Sequence, residues 1–257
     1  MARRIRIDLA YDGADFHGWQ VQPGLPTIQG TLEEILSGIE GSPVRVAGSG
    51  RTDAGVHAEA QVAAFHLNNP IPPVNLRRAL NRLLPPAIRV MQAREVPDAF
   101  HPRFDAIAKT YEYRLFRGET CSPFLWPTVY HHPYPLDVPR MVELASIFEG
   151  EHDFSAFAAA DDRDALGRSK VRTIFSSQLT HPDGFLHYRV RGSGFLKHMV
   201  RNLVGTLLEV GKGNLDHASL ARLLGPNPGR CGSTVPAKGL TLMSVEYPPS
   251  TSDTLAS

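Results

Sequence analysis

"TIQGTLEEILSGIEG", residues 27–41, carries the clearest structural pattern in the chain. Ile28, Leu32, Ile35, Leu36 and Ile39 recur every three or four positions, which places them on one face of a helix. Thr27 stands where an N-cap accepts the first free amides, and Gly41 where a helix ends. Before it, Ile5, Ile7 and Leu9 alternate with Arg4, Arg6 and Asp8, the period of a half-buried strand. After it, "VRVAGS" (44–49) and "QVAAFHL" (61–67) predict strands on either side of a glycine-rich loop. "NLRRALNRLLPP" (75–86) predicts a second helix with Leu76, Leu80, Leu83 and Leu84 inward and prolines to stop it, and "IRVMQAREV" (88–96) returns as a strand. Strand, helix, strand, strand, helix, strand is the order of a ferredoxin-like (RRM-like) unit, an α+β fold with two helices on one face of an antiparallel sheet.

The second half predicts a looser copy. "KTYEYRLFRG" (109–118) alternates as a strand and "PRMVELASIFEG" (139–150) is helical. "VRTIFSSQLTH" (171–181) and "FLHYRVRGSG" (185–194) are strands, and "FLKHMVRNLVGTLLEV" (195–210) is a long helix. "ASLARLLG" (218–225) is a short helix and "GLTLMSVEYP" (239–248) a last strand. The likeness is one of pattern, with no repeated sequence. The expected organisation is a ferredoxin-like domain over 1–105, a second over 106–247 with a cleft between them, and a disordered tail over 248–257.

With 257 residues the chain holds one large domain or two small ones. No apolar run approaches the roughly 20 residues of a membrane span, and "MARRIRIDLAYDG" shows neither an apolar signal segment nor a cleavage site. The two cysteines, Cys121 and Cys231, form no C-x-x-C pair, so reduced thiols in a cytoplasmic protein are expected. Net charge is only +1 and names no partner. Its distribution is uneven: from Arg163 to Arg201 eight Lys/Arg face only Asp164 and Asp183, while 137–162 leans acidic. Five of the 27 basic residues are lysine, and guanidinium forks suit phosphates and base planes. Solvated surface arginines account for the same pattern.

The loop "AGSGRTDAGVHA" (47–58) sets one carboxylate, Asp53, among glycines with Arg51 beside it. It is not a P-loop, which needs Lys and Ser/Thr after G-x-x-x-x-G, and Gly48, Gly50 and Gly55 lack the spacing of a dinucleotide site. The histidines form no H-x-x-x-H or H-E-x-x-H pair, and no G-x-S-x-G elbow is present. What remains is a carboxylate with a basic neighbour. Such a group serves as a nucleophile if it is partly withdrawn from water while a guanidinium keeps it ionised, with glycines admitting a bulky substrate. It serves equally as a turn cap paired at the surface with Arg51.

"GSGRTDAGVHA" (48–58) resembles the signature of the TruA family, the tRNA pseudouridine synthases of the anticodon stem-loop. "YDGADFHGWQVQP", "FHPRFDAIAKTYEYRL", "GSGFLKHMVRNLVGTLLEVGKG" and "PAKGLTLMSVEYP" resemble further blocks of that family, in order over about residues 4–247. The resemblance implies isomerisation of uridine to pseudouridine at tRNA positions 38, 39 and 40, with no cofactor and no metal. It implies Asp53 as the catalytic nucleophile, Arg51 as its neighbour, Tyr111 as the ring that stacks on the target base, Arg201 as the active-site arginine and Leu240 as an apolar wall. Lys197 departs from the family, where an arginine or histidine is frequent; that leaves the positive charge but not the planar fork. By their local pattern alone, Tyr111 reads as a core tyrosine beside Tyr113 and Leu115, and Arg201 as a solvated residue off the apolar face of its helix. The resemblance, with the apolar second face of "NLVGTLLEV" (202–210), also implies a homodimer. The rival from another class is an RNA-binding module on the same fold, but its aromatic K/R-G-F/Y-G/A-F-V-x-F/Y strand is absent.

Overall fold

The computed structural model describes residues 2–160, 167, 169–225, 229 and 231–249. Asp161 and Asp162 of the acidic stretch, Arg163, Asp164 and Arg168 of the basic one, and residues 250–257 of the expected tail lie outside them. The chain divides into two compact units, one formed by the described residues of Met1–Lys109 and Leu242–Ser257, the other by those of Thr110–Thr241. Helices and strands mix in both, as the α+β reading expects. No helix among the described residues is long and apolar enough to cross a membrane.

In the first unit, β1 (Arg3–Tyr11) lies between β3 (His57–Leu67) and β4 (Ile88–Glu95), antiparallel to both. Ile5, Ile7 and Leu9 are fully buried, and the charged residues between them take the other face. The helix α1 (Ile28–Glu40) is capped as its sequence predicts: Thr27 Oγ1 accepts from Gly30 N, and Gly41 ends it at φ 77°. Ile28, Leu32 and Leu36 are its buried stripe. In α2 (Pro73–Leu83), Leu76 and Leu80 are buried as expected, but Leu83 is 57% exposed. The cause is Leu84. Preceding Pro85, it leaves the helix at ψ 143° and is itself buried.

The strand expected over 44–49 shrinks to β2 (Ala47–Gly48), which pairs with β3. Side chains of α1 take the backbone groups a ladder would have used. Ser37 Oγ accepts from Val44 N at 2.9 Å, Glu33 Oε1 from Val46 N at 3.0 Å, and Gln29 Nε2 donates to Val46 O at 2.9 Å. The final strand, β10 (Leu240–Glu246), neighbours β3 and contributes Leu242–Glu246 to this unit.

In the second unit the strand order is β5 (Ala108–Phe116), β9 (Phe185–Gly192), β8 (Val171–Thr180), β7 (Gly150–Asp153), with β6 (Tyr130–His131) running parallel along the end of β5. The short strands β6 and β7 have no alternating pattern long enough to predict them. Asp137 caps α3 (Val138–Ala145) and Asp216 caps α5 (His217–Leu223). The helix expected from Phe195 begins only at Met199: α4 spans Met199–Gly211, and His198 before it is left-handed at φ 60°. Every residue of α4 except Arg201 and Glu209 is buried. The second apolar face that pointed to a partner copy is therefore covered by this chain's own segments. At Gly205 the covering is backbone on backbone, since a Cβ there would stand 1.9 Å from Ser233 O.

Two glycine substitutions therefore take opposite signs. Gly205→Ala is expected to destabilise by about 2–3 kcal/mol, as overpacking against an unyielding backbone does. Gly38→Ala, in α1 with nothing within 4 Å of the added methyl, is expected to stabilise by roughly 0.5–1 kcal/mol. Urea unfolding midpoints of the two variants check both signs.

Candidate active site

The β2–β3 loop, residues 49–56, is tied to its surroundings by hydrogen bonds. Ser49 is fully buried: its amide donates to Val62 O at 2.7 Å and its hydroxyl to Gln61 Oε1 at 2.6 Å. Its carbonyl accepts the Lys109 ammonium at 2.6 Å. Gln61, also fully buried, donates from Nε2 to Gly50 O at 3.1 Å and to the Tyr11 hydroxyl at 3.3 Å. With its oxygen receiving Gln61, the Tyr11 phenol has its proton free for Thr52 Oγ1, 2.8 Å away. Burial pushes that phenol up to about 12, the hydrogen bonds to Thr52 and Gln61 opposing only in part, so the network remains neutral. Thr52 O accepts from Trp19 N at 3.0 Å.

Past Thr52 the chain turns outward. Arg51 and Ala54 are exposed and Asp53 is half-buried. Val56 N closes the turn on Asp53 O at 3.1 Å, and Gly55 N donates to Phe16 O at 3.3 Å. Packing also requires the glycines. A Cβ at Gly48 would lie 2.5 Å from the Trp19 ring, and one at Gly50 would lie 2.9 Å from Lys109 Nζ. Gly18, at φ +86°, lets its own turn press to within 2.6 Å of Thr52 O, measured from the Cβ it lacks. Burial, with the like charge of Arg103 adding to it, draws the Lys109 ammonium down to about 8.

Tyr111, Arg201 and Leu240 belong to the second unit, and Arg51 and Asp53 to the first. Tyr111 is 8% exposed, its ring edge-on to Phe195 with centroids 5.1 Å apart. Phe195 is free for this because the chain is not yet helical there. Arg201, in the first turn of α4, donates from Nε to Val235 O at 2.8 Å. The segment that carries Val235 is fixed to the same helix: Thr206 Oγ1 accepts from Gly232 N at 2.9 Å, and Thr234 Oγ1 donates to Asn202 Oδ1 at 2.6 Å. Neighbouring Tyr113 donates to Pro236 O at 2.7 Å, its phenol pushed far up by burial, with the Arg201 charge opposing. Leu240 is buried, and Lys197 is exposed with its ammonium on Ala160 O at 3.1 Å. Arg201 is thus a held residue rather than a solvated one.

Residues 9–105 and 144–248 match the family described as tRNA pseudouridine synthase. The chain belongs to the TruA family of tRNA pseudouridine synthases. A tRNA pseudouridine synthase A of Solibacter usitatus (strain Ellin6076) is 71% identical over 245 residues, covering 95% of this chain and 100% of that one. Proteins of the same name from Geobacter sp. (strain M21) and Latilactobacillus sakei subsp. sakei (strain 23K) are 45% and 42% identical, covering 96% of this chain and 99% and 100% of theirs. The chain is accordingly an isomerase acting on tRNA.

Sequence reasoning missed the residues that make the synthase's loop rigid: Tyr11, Gln61 and Lys109. One signal was available. Gln61 is a polar residue in an otherwise small and apolar run, "AQVAAF" (60–65), and a buried polar side chain there needs partners. Replacing it by leucine leaves the Ser49 hydroxyl, the Gly50 carbonyl and the Tyr11 hydroxyl short of a partner. Gln61→Leu is expected to cost about 2–4 kcal/mol, and Tyr11→Phe only about 1 kcal/mol, in chemical unfolding.

Proposed function

We propose that the chain converts uridine to pseudouridine in the anticodon stem-loop of tRNA, at positions 38, 39 and 40, with Asp53 as the nucleophile. The observation that carries this is the setting of the loop: backbone tied at Ser49, Gly50 and Thr52 leads directly into half-buried Asp53, with Arg51 two residues before it in the chain. A preorganised carboxylate on a rigid support is what covalent or general-base chemistry requires, and what a surface turn does not.

Pseudouridine has the atoms of uridine. The N1–C1′ bond breaks, the uracil turns over, C5 joins C1′ and loses its proton, and N1 gains one, so no redox partner or group donor enters the balance. Asp53 assists cleavage by attacking C1′, by removing the C2′ proton to give a glycal, or by adding to C6; each route uses it as an anion, with Arg51 and Arg201 as the proposed counter-charges. Tyr111 is the proposed platform for the extruded base, and Leu240 the apolar wall. The target must first leave its stack, which costs a few kcal/mol. Arginines of the first unit suit the RNA backbone: a cavity of about 470 Å³ beside β2 is lined by Arg4 and Arg45, with His66 and His101 among its other residues. Its acid, Glu33, is already engaged by Arg45 at 3.1 Å and by Val46 N. A cytoplasmic location and a homodimer complete the proposal. The homodimer is supported by the family resemblance and by exposed aromatics, Phe124 at 92% and Trp126 at 52%, and sedimentation as a monomer at micromolar concentration contradicts it.

Purified protein incubated with unmodified tRNA and no additive is expected to form pseudouridine; a pure RNA-binding module forms none. Asp53→Asn is expected to lower turnover by at least about a thousandfold while tRNA affinity changes little, and substantial residual turnover ends the nucleophile assignment. Tyr111→Phe is expected to be milder than Tyr111→Ala, because stacking needs the ring. Equal and severe losses assign the hydroxyl to proton transfer instead.

A further inference from the structure

Lys109 sits on β5 at the end of the first unit's Met1–Lys109 stretch, half-buried, with its ammonium on Ser49 O at 2.6 Å. Among the described residues that carbonyl is its one hydrogen-bond partner, and its one recorded charged neighbour, Arg103, has the same sign. Half-burying a cation against a neutral carbonyl, with no carboxylate beside it, costs desolvation that offsets what the hydrogen bond contributes. Stability therefore does not explain the lysine. Its place in the loop does. The carbonyls of Gly50 and Thr52 are held by Gln61 and Trp19, and Lys109 holds the first of the series, at Ser49. Four residues on stands Asp53. The absent Cβ of Gly50 is what admits the ammonium.

We propose that Lys109 is a positioning residue: its ammonium pins the Ser49 carbonyl and thereby sets where the Asp53 carboxylate stands, without touching the reacting base. The inference rests on Asp53 being the nucleophile. Because the pin is strongest while the lysine is protonated, turnover falls as pH rises through about 8. The elements around it carry Arg51 and Asp53 in the loop, Arg3, Arg4, Arg6, Asp8 and Tyr11 on β1, His57, Glu59 and His66 on β3, Asp98, His101, Arg103 and Asp105 before β5, and Tyr111, Glu112, Tyr113 and Arg114 on β5; of these the Arg103 charge acts on Lys109, and the Tyr11 phenol, at about 12, stays neutral in that window.

The test compares wild type with Lys109→Met and Lys109→Arg. In Lys109→Met the single-turnover rate is expected to fall about 10–100-fold, the range a small misplacement of a reacting group produces. tRNA affinity stays within about twofold, the alkaline fall disappears, and amides 50–55 exchange faster at an unchanged unfolding midpoint. Lys109→Arg is expected to recover much of the rate and to move the fall to higher pH, since guanidinium keeps its charge. A wild-type rate in Lys109→Met overturns the proposal, as does a weakened affinity that accounts for the whole loss, which makes Lys109 a phosphate contact. If Lys109→Met does not fold, an alkaline fall in Lys109→Arg identical to wild type overturns it alone. Absence of pseudouridine with the wild-type protein defeats the function instead, and the exchange of amides 50–55 still judges the lysine.

Discussion

Everything at the proposed catalytic loop depends on one buried amide. Gln61 binds the Ser49 hydroxyl, the Gly50 carbonyl and the Tyr11 hydroxyl at once, and through Tyr11 reaches Thr52. A side chain with one acceptor oxygen and two N–H donors satisfies three groups that burial would otherwise leave unpaired. The result is a short stretch of backbone that is irregular yet as fixed as a strand. Asp53 follows directly on that stretch. In water a loop of this length would sample many conformations, and a nucleophile on it would spend little of its time at the reacting atom.

The second unit solves a parallel problem by other means. Arg201 lies on a helix buried on nearly every side, against a segment that touches the helix backbone at Gly205 and is tied to Asn202 and Thr206. Its Nε is then spent on Val235 O. A long side chain thereby gives up rotamer freedom on folding.

The fold was legible where local pattern and tertiary context agree. Thr27, Gly41 and the Ile28–Leu32–Leu36 stripe define α1 from sequence, and the alternation of Ile5, Ile7 and Leu9 defines β1. It was not legible where a neighbour overrides local preference. Val44–Val46 have strand propensity but give their backbone to α1, and Phe195–Leu196 have helical spacing but precede a left-handed His198. Of the proposed site residues, Asp53 stood out as a lone acid among glycines, whereas Tyr111 and Arg201 looked like core and surface residues until family resemblance singled them out. Lys109 was invisible for a simpler reason. Nothing in a strand's alternation says that its first lysine reaches a carbonyl sixty residues away.

The way α1 serves Val44–Val46 has a consequence for the chain as a solute. A valine-rich extended stretch with open amides and carbonyls is a template on which another polypeptide can add a strand. Gln29, Glu33 and Ser37 fill those positions with side-chain atoms, which cannot propagate a ladder. The helix thereby guards this border against aggregation, and does so with residues whose polarity would otherwise be read as mere solubility.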